Sequence, residues 1–371
     1  MHASQSLSRR SFVGASIVAA LGAAGLISFV GAPTPAMADD AETRVVTDAR
    51  GEVEIPVHPQ RIVDLSGNSD ILSVLGYQVV GTANSDAYDY TKFPTYLADT
   101  LEGAKILGYS MQDTMDIEAI LELDPDLVII STVQEKMYDQ LQSLAPTIMI
   151  ELAQINWKED IEAFAEVMDA QEPAEAWLAA YEEKAAKAGD AIKEQYGEDT
   201  TYLAFLASGG QLFIFDSAGI GLVMYEDMGL AKPAGMPEQE NISLPVVDYE
   251  GLAQIDADVL LVVATDADLQ ALNESKIYQS MRAVQDGNVI ELPSSPYFNE
   301  GYSCLGKDLF VSELPYLLAG DSVEEANAQA RAAMASEGDP AAEAQGPDAA
   351  AVEEEQADEQ AAEKAANAEQ K

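Results

Sequence analysis

The sequence is poor in the residues that build metal centres and catalytic sites. It has one cysteine, Cys304, and two histidines, of which only His58 lies beyond the N-terminal segment. A single thiol excludes an internal disulfide and a multi-thiolate site. One imidazole is too few for the sites that bind bare zinc or manganese. Gly-x-Ser-x-Gly and His-Glu-x-x-His motifs are also absent, so nothing indicates a nucleophile with its base or a catalytic metal.

Positive charge is scarce as well. The chain has 65 acidic residues against 19 lysines and arginines, which gives a formal net charge of -46. Such a surface repels nucleic acids and anionic lipids, so we expect neither as a partner. Most of this acidity serves solubility, and part of it could attract a basic docking surface on another protein.

Long apolar runs are confined to the N-terminus. Arg9-Arg10 precedes an apolar stretch over residues 12–32, and Ala36-Met37-Ala38 follows as a small-x-small cleavage site. We predict that residues 1–38 are a twin-arginine export signal. The alternative is an uncleaved anchor, because such a stretch could just span a bilayer. Either interpretation places the functional part outside the cytoplasm, in a periplasm or on the outer face of the membrane.

Two segments that begin 132 residues apart share one pattern. Glu118 opens Glu-Ala-Ile-Leu-Glu-Leu-Asp-Pro-Asp-Leu-Val-Ile-Ile, and Glu250 opens Glu-Gly-Leu-Ala-Gln-Ile-Asp-Ala-Asp-Val-Leu-Leu-Val. Each copy reads as a short amphipathic helix, an Asp-x-Asp and a buried parallel strand. The repeat therefore predicts two similar lobes with a cleft between them.

Strand and helix patterns alternate along most of the chain, which is typical of an α/β fold. We predict two Rossmann-like lobes with mostly parallel sheets, over residues 44–171 and 199–320. A long rigid helix over residues 172–198 would join them, and the helical pattern has a break at Glu172-Pro173. Residues 321–371 form an acidic Ala/Glu-rich low-complexity segment, which we expect to be a solvated, partly helical tail.

These residues resemble a known family, the substrate-binding proteins of ABC importers for ferric siderophores, haem and cobalamin, whose two lobes are joined by a rigid helix. The resemblance covers about residues 44–318. The motifs that carry it, in chain order, are Val46-Thr47-Asp48 with Gly51, Ile55-Pro56, Pro59-Gln60-Arg61-Ile62-Val63, Leu75-Gly76, Val80-Gly81, Ile117-Glu118, Pro125-Asp126-Leu127-Val128, Tyr249-Glu250, Ala257-Asp258-Val259, Ala283-Val284 and Gly287-Asn288-Val289.

The resemblance implies that Glu118 and Glu250 dock the protein on its transporter. In the family, one glutamate of each lobe enters an arginine pocket of an ABC permease dimer, which works with a cytoplasmic ATPase. Charge-assisted carboxylate–guanidinium bonds suit such registration. The alternative is that both are ordinary first-turn carboxylates stabilised by a helix dipole. We expect a monomer with no permanently bound cofactor.

The ligand should lie at the carboxyl ends of the strands, in the cleft. Aromatic, amide and flexible side chains on the corresponding loops are the candidates, although each could instead be a packing residue. They are Asn68, Tyr88, Tyr90, Tyr109, Met111, Lys136, Tyr138, Trp157, Gln211, Tyr297, Phe298 and Tyr302.

The scarcity of arginine bears on the identity of the ligand. Strongly anionic catecholate complexes need a basic cluster, and beyond the signal only five arginines remain, none in a predicted cleft loop. A hydroxamate-type ferric siderophore or a corrinoid fits better, and haem stays open because Tyr or Met could ligate its iron. The rival classes are a chelatase-like enzyme on the same scaffold and a surface adhesin. We expect no enzymatic activity.

Overall fold

The structure is a computed structural model that describes residues 42–153, 156–239 and 243–337. The predicted export signal and the part of the predicted tail beyond residue 337 lie outside these residues. Within them, none of the helices is both long and apolar enough to cross a bilayer.

Strands and helices alternate through the described residues, and this confirms the predicted α/β class. The strands are β1 (Thr43–Asp48), β2 (Gly51–Pro56), β3 (Ile62–Asp64), β4 (Val79–Thr82), β5 (Lys105–Ile106), β6 (Leu127–Ser131), β7 (Thr147–Ile150), β8 (Tyr202–Ser208), β9 (Gln211–Ile214), β10 (Val246–Val247), β11 (Val259–Ala264) and β12 (Val289–Pro293). The α-helices are α1 (Ser69–Val74), α2 (Ile117–Leu121), α3 (Tyr138–Gln142), α4 (Trp157–Met168), α5 (Gln171–Tyr196), α6 (Gly219–Leu222), α7 (Tyr249–Leu252), α8 (Asp266–Glu274), α9 (Arg282–Asp286), α10 (Ser294–Glu300), α11 (Cys304–Ala319) and α12 (Val323–Glu337). Shorter turns are 3-10 at Thr132–Met137 and Tyr278–Ser280 and π-helical at Val223–Asp227.

The N-terminal lobe is built on a parallel sheet in the order β5-β4-β3-β6-β7. After β3 the chain runs to one side of the sheet, through β4 and β5, and then returns to the other side through β6 and β7. The carboxyl ends of β3 and β6 therefore border the crevice where α/β proteins bind ligands. The antiparallel β1–β2 hairpin lies beside β7, where Asp48 accepts the Met149 N–H at 2.7 Å.

The C-terminal lobe repeats this order strand for strand as β10-β9-β8-β11-β12. It differs at β9, which is antiparallel to β8. The cause is local: Gly209 and Gly210 both have positive φ, +58° and +80°, as a two-residue hairpin turn requires, whereas α1 connects β3 and β4. The predicted mostly parallel sheet holds for β8, β11 and β12.

The second aspartate of each repeat has the same structural task in both lobes. Asp126 accepts the N–H groups of Gln60 and Arg61 at 2.7 and 2.9 Å, just before β3. Asp258 accepts the N–H and hydroxyl of Thr201 at 2.8 Å each, just before β8. Each carboxylate thus joins the start of a repeat strand to the start of its neighbour and stabilises backbone donors at the sheet end.

Helix α5 has 26 residues and is about 39 Å long at 1.5 Å per residue. It begins before the expected break, because Pro173 lies in its first turn, where the missing N–H has no intrahelical partner to lose. The chain turns instead at Asp169, which ends α4 with φ of +57°. One face of α5, including Trp177 and Tyr181, packs into a core shared by both lobes.

Helix α12 corrects the expectation of a solvated tail after residue 320. It packs along α11 and buries Ala326 and Ala330 completely. Ala330 also joins Tyr96 of the N-terminal lobe in a small apolar cluster, and Arg331 donates to the Thr95 carbonyl at 3.1 Å. Alanines at this spacing let helices approach closely with little apolar volume, so a composition with almost no large apolar residues did not reveal the packing face.

Candidate functional site

Two segments from different lobes meet at the carboxyl ends of the strands. The first is the loop of residues 84–92 after β4, and the second is α10, which follows β12. The Ala87 N–H donates to Oδ1 of Asn299 at 2.9 Å, and the Ser295 hydroxyl donates to the Asp86 carboxylate. The two lobes are therefore in contact here, in the region where the sequence predicts the cleft.

Aromatic rings from both lobes cover this junction. Tyr88 meets Phe298 edge-on, with ring centroids 6.1 Å apart and an interplanar angle of 88°. Phe298 lies 5.5 Å from Tyr302. On the N-terminal side, Tyr90 stacks on Tyr109 at 4.9 Å and 8°. These are favourable aromatic geometries, and they bring together five of the residues predicted to line the cleft. We call these five residues, Tyr88, Tyr90, Tyr109, Phe298 and Tyr302, the aromatic wall.

The set keeps much of its surface in contact with solvent. Tyr88 is 42 % exposed, Tyr90 47 % and Tyr302 39 %, and these three are among the few large apolar side chains that are exposed in the described residues. Aromatic surface gathered at a junction between lobes is typical of a binding site, because a ligand can cover it and remove it from water.

Three phenols of this set, those of Tyr88, Tyr109 and Tyr302, have raised pKa values and are neutral at physiological pH. Burial is the main cause that raises the pKa of Tyr109 to about 12, with the nearby Tyr90 and Asp86 adding to it. Burial also raises the pKa values of Tyr88 and Tyr302. These hydroxyls can donate or accept hydrogen bonds to a ligand, but a phenolate for binding iron directly would be costly to form.

A buried carboxylate fixes the neighbouring loop after β3. Asp64 is fully buried and accepts the hydroxyls of Ser66 and Ser69 at 2.6 Å each and the Asn68 N–H at 3.1 Å. Burial raises the pKa of Asp64, and these hydrogen bonds oppose the rise. Asn68 is half-buried. Asn84, in the loop after β4, accepts the Ser69 N–H at 2.9 Å and so connects that loop to the segment after β3.

Three more of the predicted residues lie on the surface. Met111 is 66 % exposed, two residues beyond Tyr109. Lys136 is exposed and forms an ion pair with Asp113 at 2.6 Å. Gln211 is exposed immediately after the hairpin turn at the carboxyl end of β8. The hydrogen bonds and ring contacts described above do not include these three residues.

The other three predicted residues are buried in the core. Tyr138 packs in the N-terminal lobe, with the Arg50 guanidinium 4.7 Å from its ring centroid. Trp157 lies against Tyr181 of α5, with ring centroids 5.0 Å apart. Tyr297 is 1 % exposed and packs against Phe310. Their burial favours the alternative that they are packing residues, and we do not include them in the aromatic wall.

Glu118 and Glu250 occupy equivalent positions in the two lobes. Each lies in the first turn of a short helix, two residues after an N-cap aspartate. Asp116 accepts the N–H groups of Glu118 and Ala119, and Asp248 accepts the Gly251 N–H. Both glutamates are exposed, and neither forms an ion pair with another described residue. Because each helix returns the chain to the start of the next parallel strand, its first turn lies toward the carboxyl-end edge.

Comparison with known proteins identifies the family. The sequence pattern of the Periplasmic binding protein family matches residues 66–296, more than half of the chain. The chain belongs to the Periplasmic binding protein family. Among its relatives in Bacillus subtilis, the probable siderophore-binding lipoprotein YfiY is 28 % identical over 68 % of this chain and 81 % of its own length. The iron(3+)-hydroxamate-binding protein FhuD is 28 % identical over 74 % and 86 %.

Solved structures of similar fold include SirA of Staphylococcus aureus, complexed with staphyloferrin B. It is 22 % identical, and the alignment covers 75 % of this chain and 99 % of SirA with a TM-score of 0.60. The FhuD protein from S. pseudintermedius is 24 % identical, covers 75 % and 98 %, and also has a TM-score of 0.60. At this identity the likeness shows the fold alone, and it confirms the predicted family architecture of two lobes joined by a helix.

Sequence reasoning missed the polar residues that connect the two lobes of this periplasmic binding protein beside the aromatic wall. Asp86, Ser295 and Asn299 are one or two positions from predicted aromatic residues in the sequence, but they form no motif of their own. Their partners are more than 200 positions away along the chain, so a single sequence carries no local signal for them.

Proposed function

We propose that this periplasmic binding protein captures a ferric siderophore between its lobes and delivers it to an ABC permease. The main support is the aromatic wall at the carboxyl-end edge, to which both lobes contribute. Siderophore- and hydroxamate-binding relatives support the same ligand class. The family is one of binding proteins, and we propose that the cleft binds its ligand without turnover.

The positions of the arginines favour a weakly charged chelate. Each of the five described arginines interacts with a group outside the aromatic wall. The partners are the Val167 carbonyl for Arg44, Glu135 for Arg50, the Asp124 carbonyl for Arg61, Asp256 for Arg282 and the Thr95 carbonyl for Arg331. The wall therefore has no guanidinium for a catecholate or citrate complex. We propose a ferric hydroxamate as the preferred substrate, with corrinoids and haem as the alternatives to be tested.

Delivery would use Glu118 and Glu250 as the two contacts with a permease dimer. Their matched positions, their exposure and the absence of an ion pair to a described residue support this role, since a carboxylate already paired would have to exchange partners on docking. We also propose that residues 1–38 direct export by the twin-arginine route, so that binding takes place outside the cytoplasm, and that the protein acts as a monomer.

The experiment that tests the function is a titration of the purified protein. Ferrioxamine B, ferrichrome, ferric enterobactin, cobalamin and haemin would be added separately, and complexes counted by native mass spectrometry with tryptophan fluorescence as a second signal. We expect saturable 1:1 binding of a ferric hydroxamate. Tighter binding of enterobactin would contradict the charge argument, and binding of none of the five would contradict the proposed function.

A variant connects the measurement to the aromatic wall. Tyr88→Ala should weaken hydroxamate binding about tenfold, because loss of one aromatic contact costs about 1.5 kcal/mol. Tyr196→Ala, at the end of α5, is the matched control and should leave affinity unchanged. Equal affinities for the two variants would place the ligand elsewhere.

A further inference from the structure

Asn299 connects the lobes at the place where the proposed ligand would bind. It lies near the end of α10, in the C-terminal lobe, and its carbonyl oxygen accepts the Ala87 N–H of the N-terminal lobe at 2.9 Å. Its amide is also close enough to the Tyr109 phenol to oppose the burial that raises the pKa of that group. One half-buried side chain therefore faces two N-terminal loops, the loop after β4 and the loop after β5.

Asp86 provides a second connection beside the first. Its Oδ1 accepts the N–H groups of Tyr88 and Asp89 at 2.7 and 3.1 Å, which shapes the loop that carries Tyr88. Its Oδ2 accepts the Ser295 hydroxyl of the other lobe. The carboxylate is 3 % exposed, so these neutral donors are its compensation for burial.

Other polar contacts between elements of the protein lie beside the long helix. Lys184 of α5 pairs with Asp308 of α11 at 2.7 Å, and Lys158 of α4 pairs with Asp227 of the C-terminal lobe at 3.3 Å. The Asn299 and Asp86 contacts lie at the cleft edge instead. Contacts near a joint change little when lobes separate, whereas contacts at the edge must break.

We propose that Asn299, supported by the Asp86–Ser295 contact, is a positioning residue that holds the lobes together at the cleft edge and so presents Tyr88 and Tyr109 to the ligand. The inference rests on the proposed function, because it assumes that the ligand contacts this wall. Asn299 acts through the two tyrosines rather than through its own contact with the chelate. Loosening it should mainly speed ligand release, as is usual for changes at one binding interface.

Two substitutions separate the two contacts of the amide. Asn299→Ala removes both and should raise the dissociation rate of ferrioxamine B about tenfold, the usual scale for one lost hydrogen bond. Asn299→Asp keeps the acceptor for the Ala87 N–H but places a second carboxylate near Asp86 and Tyr109, so release should be at least as fast. Asn288→Ala, an exposed asparagine of the same lobe, is the matched control. Ser295→Ala should give a smaller increase.

A ligand-free measurement keeps this inference distinct from the proposed function. Nitroxide labels on cysteines introduced at the exposed Gln140 and Lys276 report the distance between the lobes, and the native Cys304 is buried. Asn299→Ala should broaden the distance distribution, and Asn288→Ala should not. Identical distributions and release rates in these two variants would overturn the proposal. If no chelate binds the native protein, the proposed function fails, while the distance measurement still decides whether Asn299 holds the lobes together.

Discussion

Gly189 tests how closely α5 packs on the C-terminal lobe. It lies on the buried face of this helix, opposite Met228 just after the π-helical turn. A Cβ added at Gly189 would be 1.9 Å from the Met228 carbonyl oxygen and 2.7 Å from its carbonyl carbon. Ordinary contacts begin at 3.4 Å, so Gly189→Ala would force two backbone segments apart by roughly 1.5 Å.

Two opposing effects decide the outcome. In a helix interior alanine is more favourable than glycine by about 1 kcal/mol. Overpacking a well-packed core costs about 1–3 kcal/mol, and the upper end applies here because the obstacle is a backbone carbonyl rather than the end of a flexible side chain. We therefore expect Gly189→Ala to lower the free energy of unfolding by about 2 kcal/mol.

Urea unfolding followed by circular dichroism measures this change. Ala186→Gly, on the exposed face of α5 one turn away, is the control for helix propensity and should cost about 1 kcal/mol without any clash. An increase in stability of about 1 kcal/mol for Gly189→Ala, as propensity alone predicts, would refute the close packing of α5 on the Met228 segment.

Three further predictions concern docking, pH and packing. Glu118→Ala and Glu250→Ala should reduce uptake of radiolabelled ferrioxamine B by cells and leave its affinity for the purified protein intact, whereas the exposed Glu166→Ala should change neither; lost affinity would count against docking. Burial raises the pKa values of Glu300 and Glu313, so the stability they contribute is complete below pH 4.5 and is lost as the pH rises through their folded values. Glu313→Gln should thus stabilise the protein at pH 8 but not at pH 4, unlike the exposed Glu324→Gln, and a pH-independent difference in urea midpoints would contradict this. Trp157→Phe should lower the free energy of unfolding by about 1–3 kcal/mol and leave siderophore affinity unchanged. Weaker binding by this variant would mean that Trp157 contacts the ligand.

The two-lobe architecture could be predicted because the sequence contains one repeat in each lobe. The repeat that begins at Glu118 and Glu250 marks one helix and strand in each lobe, and the two sheets then have the same strand order. Its second aspartate recurs because each sheet needs a carboxylate for the backbone donors before its first core strand. Local chemistry and global topology agree at these positions, which is where prediction from sequence is strongest.

The packing of α12 could not be predicted from composition. An Ala- and Glu-rich segment has too little apolar surface to fold alone, but here α11 and the cluster around Tyr96 supply the large side chains. The segment contributes mainly small residues, and Met334 is its larger side chain against this cluster. The composition shows that the segment cannot fold alone, but it does not exclude a helix that packs against residues of both lobes.

The positions of aromatic residues in the sequence do not show which of them are buried, because the same residue types occur in the core and in ligand sites. Trp157 and Tyr297 occur on segments that also suit a ligand loop, yet the fold turns both inward. Tyr88 and Phe298 lie beside two interlobe contacts, in which Asn299 and Asp86 bind partners 212 and 209 positions away. Contacts at this separation leave no periodic or local pattern in one chain. The proposed site depends on contacts between the lobes as well as on the aromatic rings, so the Asn299 variants test the first requirement and Tyr88→Ala tests the second.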